Sequence, residues 1–191
     1  GDLAWTHLTL WRTLVAQAFQ PVEARRHLAN IESVDIEYSF TENPPHSGLS
    51  QSLLFVGWLC SRLHWNVLKR WHRGWNSEYE CTLEYRSLEL PSQKMLIRIR
   101  VEQVHPPATG PGGIESIALQ GASGLQQEFR MIDNHGGVRY TRKVDGRVRE
   151  EMVTPVRNQE ESELVSRELE VLQRDATYEG SLLALVALLP G

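Results

Sequence analysis

Apolar residues recur at three- and four-residue intervals near the start of this chain. Leu8, Trp11, Leu14, Val15, Ala18 and Phe19 fall on one face and predict an amphipathic helix over Thr9–Phe19, with Thr9 as its N-cap. Pro21 breaks that helix, and Val22 to Asn30 predicts a second, short helical turn. The period then changes. In Val34-Asp-Ile-Glu-Tyr-Ser-Phe40, Val34, Ile36, Tyr38 and Phe40 alternate strictly with Asp35, Glu37 and Ser39, the pattern of a half-buried strand. Pro44-Pro45 ends it, and Ser47 or Ser50 is placed to cap the next helix. From Ser50 to about Trp65 the helix is apolar round most of its circumference, which predicts a central position, and Gly57 leaves room for a close neighbour. Asn66 to Trp75 mixes basic and aromatic residues without a clean period and reads as a loop with helical turns.

Tyr79 to Val153 reads as antiparallel sheet, because short alternating runs are separated by turn residues at hairpin distances. The predicted strands are Glu80 to Leu90, Lys94 to Val104, Ile114 to Gln120, Gln126 to Ile132, Gly137 to Val144 and Val148 to Val153. Asp145-Gly146 is the strongest hairpin signal, since a type I′ turn needs positive φ at both central residues. After Pro155 the helical period returns over Gln159 to Arg174, and Tyr178 to Leu189 predicts a last, nearly all-apolar helix. The expected fold is α+β, with an antiparallel sheet of about six strands in a meander packed against N-terminal and C-terminal helices.

Composition narrows the class. A length of 191 residues suits one domain with its own core, and 41% apolar with 23% charged residues excludes disordered and fibrous classes. A net charge of −4 supplies no basic field for a phosphate backbone, so nucleic-acid binding is excluded as an expectation. The longest apolar run, Leu182 to Leu189, falls far short of the ~20 residues that span a bilayer, so no membrane is expected either. The chain opens on Gly-Asp and moves straight into an amphipathic segment, which reads as a fragment of a longer protein. Cys60 and Cys81 sit at apolar-periodic positions without Cys-x-x-Cys spacing, which suits two core thiols in a reducing cytoplasm.

Candidate chemistry is sparse. The seven histidines show no i, i+4 pair of the kind a helical zinc site needs. Thr109-Gly-Pro-Gly-Gly113 lacks the Lys-Ser/Thr ending of a P-loop and reads as a hairpin loop. Asp133, His135 and Ser123 have no nucleophile-elbow context and form no credible triad. Arg98 and Arg100 are expected to pair with Glu84 or Glu80 across the ladder. The terminal apolar helix is either buried under the sheet or a partner surface. What remains is Lys69, Arg70, Trp71, His72, Arg73 and Trp75, where cations and large rings cluster. Such a group can hold a sugar phosphate or an acidic protein patch, or it is a solvated loop whose tryptophans fold back on the core.

Two Trp-bearing stretches carry more information than any of these. Gly1-Asp-Leu-Ala-Trp-Thr-His-Leu-Thr-Leu-Trp-Arg-Thr-Leu-Val-Ala-Gln-Ala-Phe19 leads into the Val34 strand, and Leu53-Leu-Phe-Val-Gly-Trp-Leu-Cys-Ser-Arg-Leu-His-Trp65 follows it. In order and wording the first 65 residues resemble the C-terminal domain of the OpcA family, the glucose-6-phosphate dehydrogenase assembly proteins of cyanobacteria and actinobacteria. The resemblance implies a non-catalytic protein without cofactor or metal that binds glucose-6-phosphate dehydrogenase, promotes its active oligomer and supports NADPH production in the oxidative pentose phosphate pathway. It also implies an N-terminal domain ahead of Gly1 and redox control through thioredoxin as a second partner; Cys60 and Cys81 are the candidate redox residues here, although neither maps onto a known regulatory pair. The partner interface is then expected at Lys69, Arg70, Trp71, His72, Arg73 and Trp75. The rival is a sugar-phosphate-binding module or an enzyme in its own right, with Lys69, Arg70, His72 and Arg73 as its anion site.

Overall fold

The computed structural model describes residues 3–39, 47–73, 78–86, 94–104, 112–132, 136–156 and 175–189. Helices α1 (Leu3–His7), α2 (Thr9–Ala18) and α3 (Val22–Arg25) and a 3₁₀ turn (Leu28–Asn30) precede strand β1 (Ile31–Tyr38). Helix α4 (Ser47–Leu63) follows, then β2 (Asn66–Arg73), β3 (Tyr79–Arg86), β4 (Lys94–Gln103), β5 (Ile114–Gly121), β6 (Leu125–Met131), β7 (Val138–Val144), β8 (Arg147–Thr154) and helix α5 (Ala176–Leu188). The expected helix over Gln159–Arg174 lies outside the described residues.

The fold is α+β, as the alternation predicted, and the described residues form one open sheet of eight strands in the order β2-β3-β4-β1-β5-β6-β7-β8. Six of them fall between Tyr79 and Thr154, where six were expected, and β1 and β2 complete the sheet. The strands do not form one continuous meander, because β1 inserts between β4 and β5. It pairs antiparallel with β5 and parallel with β4, while every other neighbouring pair is antiparallel. A parallel pair needs a long crossover. Here the chain supplies it by leaving β1 through α4 and returning through the β2–β3 pair to β4.

Alternation sorts the two faces. Val34, Ile36, Ile97, Ile99, Val101, Ile117, Leu119 and Phe129 are buried on one face, and α4 packs there against β1, β4 and β5. Arg98, Gln120, Gln126 and Arg130 are exposed on the other. At the far hairpin Asp145 and Gly146 have φ of 52° and 73°, the type I′ geometry expected from the sequence.

Helix ends differ from expectation at one cap. Thr9 is the first helical residue of α2 rather than its cap, which is Leu8, and the Thr9 hydroxyl accepts from Arg12 Nη2 at 3.0 Å instead. Helix α4 stops at His64, where φ is 53° and Trp65 N–H donates back to the Cys60 carbonyl at 3.1 Å. That left-handed residue and long-range backbone bond form a Schellman-type stop, which turns the chain into β2.

Glycine governs how α5 seats on α4. A Cβ at Gly57 would collide with the Ser181 carbonyl oxygen, and one at Gly180 would come within 2.7 Å of Ser61 Oγ. The two helices therefore approach backbone to backbone, as Gly57 suggested. The terminal helix is not buried under the sheet as a whole. Leu188 is fully buried, whereas Leu183 and Val186 are 73% and 65% exposed.

The N-terminal and C-terminal helices are joined by Asp175. One carboxylate oxygen accepts from Trp5 Nε1 at 2.8 Å, and the other accepts from the backbone N–H groups of Thr177 and Tyr178 at 2.9 and 3.1 Å, capping α5. Trp5 is in turn held between the Tyr178 ring, 5.2 Å away between centroids, and the Arg12 guanidinium, 3.6 Å above its own ring. Burial raises the Asp175 pKa, but the hydrogen bonds and the Arg12 charge outweigh it, so the group lies below the ordinary carboxylate range.

These contacts set two expected stabilities. Gly57→Val should lose about 1–3 kcal/mol by forcing α5 off α4, measured by urea denaturation, and an unchanged midpoint would contradict this packing. Asp175→Ala should cost about 1–2 kcal/mol at neutral pH through the lost cap. Because the folded pKa of Asp175 is depressed, its contribution is present above the unfolded carboxylate pKa and lost as pH falls through the folded value. The gap between parent and variant should therefore narrow in acid, and a gap constant from neutral pH down to about 3 would contradict the assignment.

Candidate functional site

The basic aromatic segment is not a loop. It forms edge strand β2, whose pairing with β3 shifts register between Val67 and Lys69 and again between Lys69 and His72. Those irregularities erase the period of two, which is why the strand does not show in the sequence. They also split the cluster. Trp71 turns inward and is 6% exposed, inside the core, while Lys69, Arg70 and Arg73 stay exposed. His72 is half-buried, with Nε2 3.7 Å from a carboxylate oxygen of Glu80. Trp75 lies outside the described residues. The structure therefore brings three cations to an exposed edge and removes Trp71 from any docking role.

The two thiols lie on the opposite side of the sheet from solvent. Cys60 on α4 and Cys81 on β3 are both buried and unbonded to each other. Burial pushes the Cys60 thiol up to about 12 and raises that of Cys81, the latter with a further contribution from Cys60. Thiolate is the nucleophile in disulfide exchange, so both are slow to react while the chain is folded. Among the described residues no cluster of three His, Cys, Asp or Glu side chains could hold a metal ion.

The outer sheet face is the feature that reading by segments missed. Arg100 does not pair with Glu80. Its Nε donates to Asp35 on β1 at 2.8 Å, with Glu102 at 4.0 Å. Arg130 on β6 bridges Glu37 at 2.9 Å and Glu128 at 2.8 Å, and the Ser116 hydroxyl donates to the same Glu37 oxygen at 2.9 Å. Burial raises the Glu37 pKa, but the Arg130 and Ser116 hydrogen bonds outweigh it and lower the net value. Arg139 and Glu151 stand 3.6 Å apart further along. Alternation told which residues point outward; only the insertion of β1 tells that Asp35 meets Arg100. A hollow of about 380 Å³ lies over β6 to β8, lined by Glu128, Arg130, Arg139, Thr141, Lys143, Val148 and Glu151. A shallower one of about 410 Å³ runs along α2 beside Trp58. Neither adjoins the β2 cations.

Residues 1–182 match a family described as the C-terminal domain of the glucose-6-phosphate dehydrogenase subunit, and the chain belongs to that family. It is 28% identical over 198 residues to a protein of Synechocystis sp. named as the OxPP cycle protein OpcA, covering 99% of this chain and 38% of that protein. It is likewise 28% identical over 196 residues to the similarly named protein of Synechococcus elongatus, covering 99% of this chain and 41% of that protein. The chain thus spans about two-fifths of the length of these curated relatives. Among solved structures, an oxidoreductase from Sinorhizobium meliloti aligns over 91% of this chain and 48% of its own, with 12% identity and a TM-score of 0.42, too distant to bear on function.

The split of the β2 cluster has a direct consequence. Trp71→Ala should destabilise the fold by about 3–5 kcal/mol as a large-to-small core change, whereas Arg70→Ala and Arg73→Ala should leave the thermal midpoint within about a degree or two of the parent. Thermal melts of the three variants check this, and equal midpoints for all three would place Trp71 at the surface.

Proposed function

We propose that the chain is the dehydrogenase-binding part of a non-catalytic assembly factor. It binds glucose-6-phosphate dehydrogenase, favours its active oligomer and so raises flux through the oxidative pentose phosphate pathway in the cytoplasm. The observation that carries this reading is family membership across residues 1–182. The names of the relatives agree with it, each being given as an OxPP cycle protein. An activator of this type works by differential affinity: a preference of a few kcal/mol for the active oligomer shifts a two-state population by orders of magnitude. The reading needs an exposed binding surface rather than a reaction centre, and the exposed Lys69, Arg70 and Arg73 on edge strand β2 are its first candidates.

The sugar-phosphate reading is less well supported. The β2 cations lie along a strand edge, away from both hollows, and concave sites are the rule for small ligands. Immobilised chain should retain the dehydrogenase and raise its activity at subsaturating substrate, with no effect from an unrelated protein of similar charge. Failure of both retention and activation would overturn the proposal. Saturable binding of glucose 6-phosphate to the chain alone, by calorimetry, would favour the rival.

A further inference from the structure

One line of registered partners crosses the outer face of the sheet from β2 to β7 without a carboxylate in it. Lys69 on β2 stands opposite Thr82, Thr82 opposite Arg98, and Arg98 opposite Ser33. Ser33 stands opposite Gln120, Gln120 opposite Gln126, and Gln126 opposite Lys143 on β7. Every member is a cation or a neutral side chain able to donate a hydrogen bond. At the β7 end Lys143 enters the hollow of about 380 Å³ described above.

The cations of this row differ from the other arginines on the same face. Arg100, Arg130 and Arg139 are each engaged by a carboxylate. Among the described residues Lys69, Arg98 and Lys143 have no ion-pair partner, and Lys69 and Arg98 are exposed. On β1 the Asp35 carboxylate accepts from the Ser33 hydroxyl at 3.5 Å but is already held by Arg100, Glu32 is exposed in the bulge beside Ser33, and Glu128, the next outward position along β6, is already bound to Arg130. At about 4.8 Å between strands, Lys69 and Arg98 stand about 10 Å apart, and Arg98 and Lys143 about 19 Å apart.

We propose that this row is a docking track for an acidic protein segment laid across the strands, its carboxylates meeting Lys69, Arg98 and Lys143 and its backbone meeting the exposed Gln120 and Gln126, while Ser33 lies buried between them. The inference rests on the partner-binding reading above and names the chemistry of the partner's contact. A track about 29 Å long matches an extended segment of about nine residues. A nucleic acid fits it less well, since the row offers no aromatic face for base stacking and the chain carries a net charge of −4. The neighbouring ion pairs hold the flanking side chains in place, so the cations of the row are open to a partner.

The test uses a fluorescein-labelled decaglutamate peptide and the full chain at low ionic strength, read by anisotropy. Saturable binding is expected. It should weaken at least about tenfold in Lys69→Gln/Arg98→Gln/Lys143→Gln, and tighten in Glu32→Gln. It should persist in Arg25→Gln/Arg26→Gln/Arg62→Gln, which removes the same charge elsewhere on the surface. Absence of saturable binding, equal loss in both triple variants, or tighter binding of a labelled decathymidylate would overturn the proposal. Repeating the retention assay with the dehydrogenase separates the two readings. Equal retention by parent and row variant defeats the track and leaves the partner reading standing; no retention by the parent defeats the partner reading, and the peptide titration still decides the track.

Discussion

The whole sheet hangs on β1 being gripped along both edges. Without it the strands fall into two pieces, β2 to β4 and β5 to β8, neither with a reason to lie beside the other. Its parallel pairing with β4 and antiparallel pairing with β5 fix both pieces in register at once. A slip of one residue would turn Val34 and Ile36 out to solvent and bring Asp35 and Glu37 into the core. Because Arg100 meets one edge of β1 through Asp35 and Arg130 reaches the other through Glu37, polar contacts and burial specify the same register.

That single register divides the molecule into two chemically distinct sides. On the helical side lie buried features: Trp71, the two thiols whose pKa burial raises, and the close α4–α5 contact at Gly57. On the open side lie ion pairs that span β1, β4 and β6, and among them the row of Lys69, Arg98 and Lys143. A binding surface gains affinity when its side chains are already ordered before a partner arrives, and these ion pairs order the open face. The Asp175 joint lies within the helical layer, tying the first and last helices together.

Much of this was legible in the residues, because local rules govern it. Strict alternation disclosed β1, Asp145-Gly146 disclosed its turn, and Gly57 disclosed a close helix contact. The order of strands was not legible, since alternation says which way a side chain points and nothing about which strand lies beside it. Thus alternation offers Arg100 either Glu84 or Glu80, the latter its true neighbour on β3, while its guanidinium reaches across the other edge to Asp35. Strand β2 was hidden for a different reason: two register shifts in eight residues break the pattern that marks a strand. The cation row could not be found at all from sequence, because Lys69, Arg98 and Lys143 become collinear only once every register between them is known.

Native-state hydrogen exchange of the β1 amides, Ser33 to Tyr38, tests the seam most directly. If β1 holds both halves of the sheet in register, these amides should exchange only through global unfolding, with the same denaturant dependence as the slowest amides of β4 and β5. Exchange of β1 by a lower-energy local opening, while β4 and β5 remain protected, would show that the two halves hold together without it and would contradict the account.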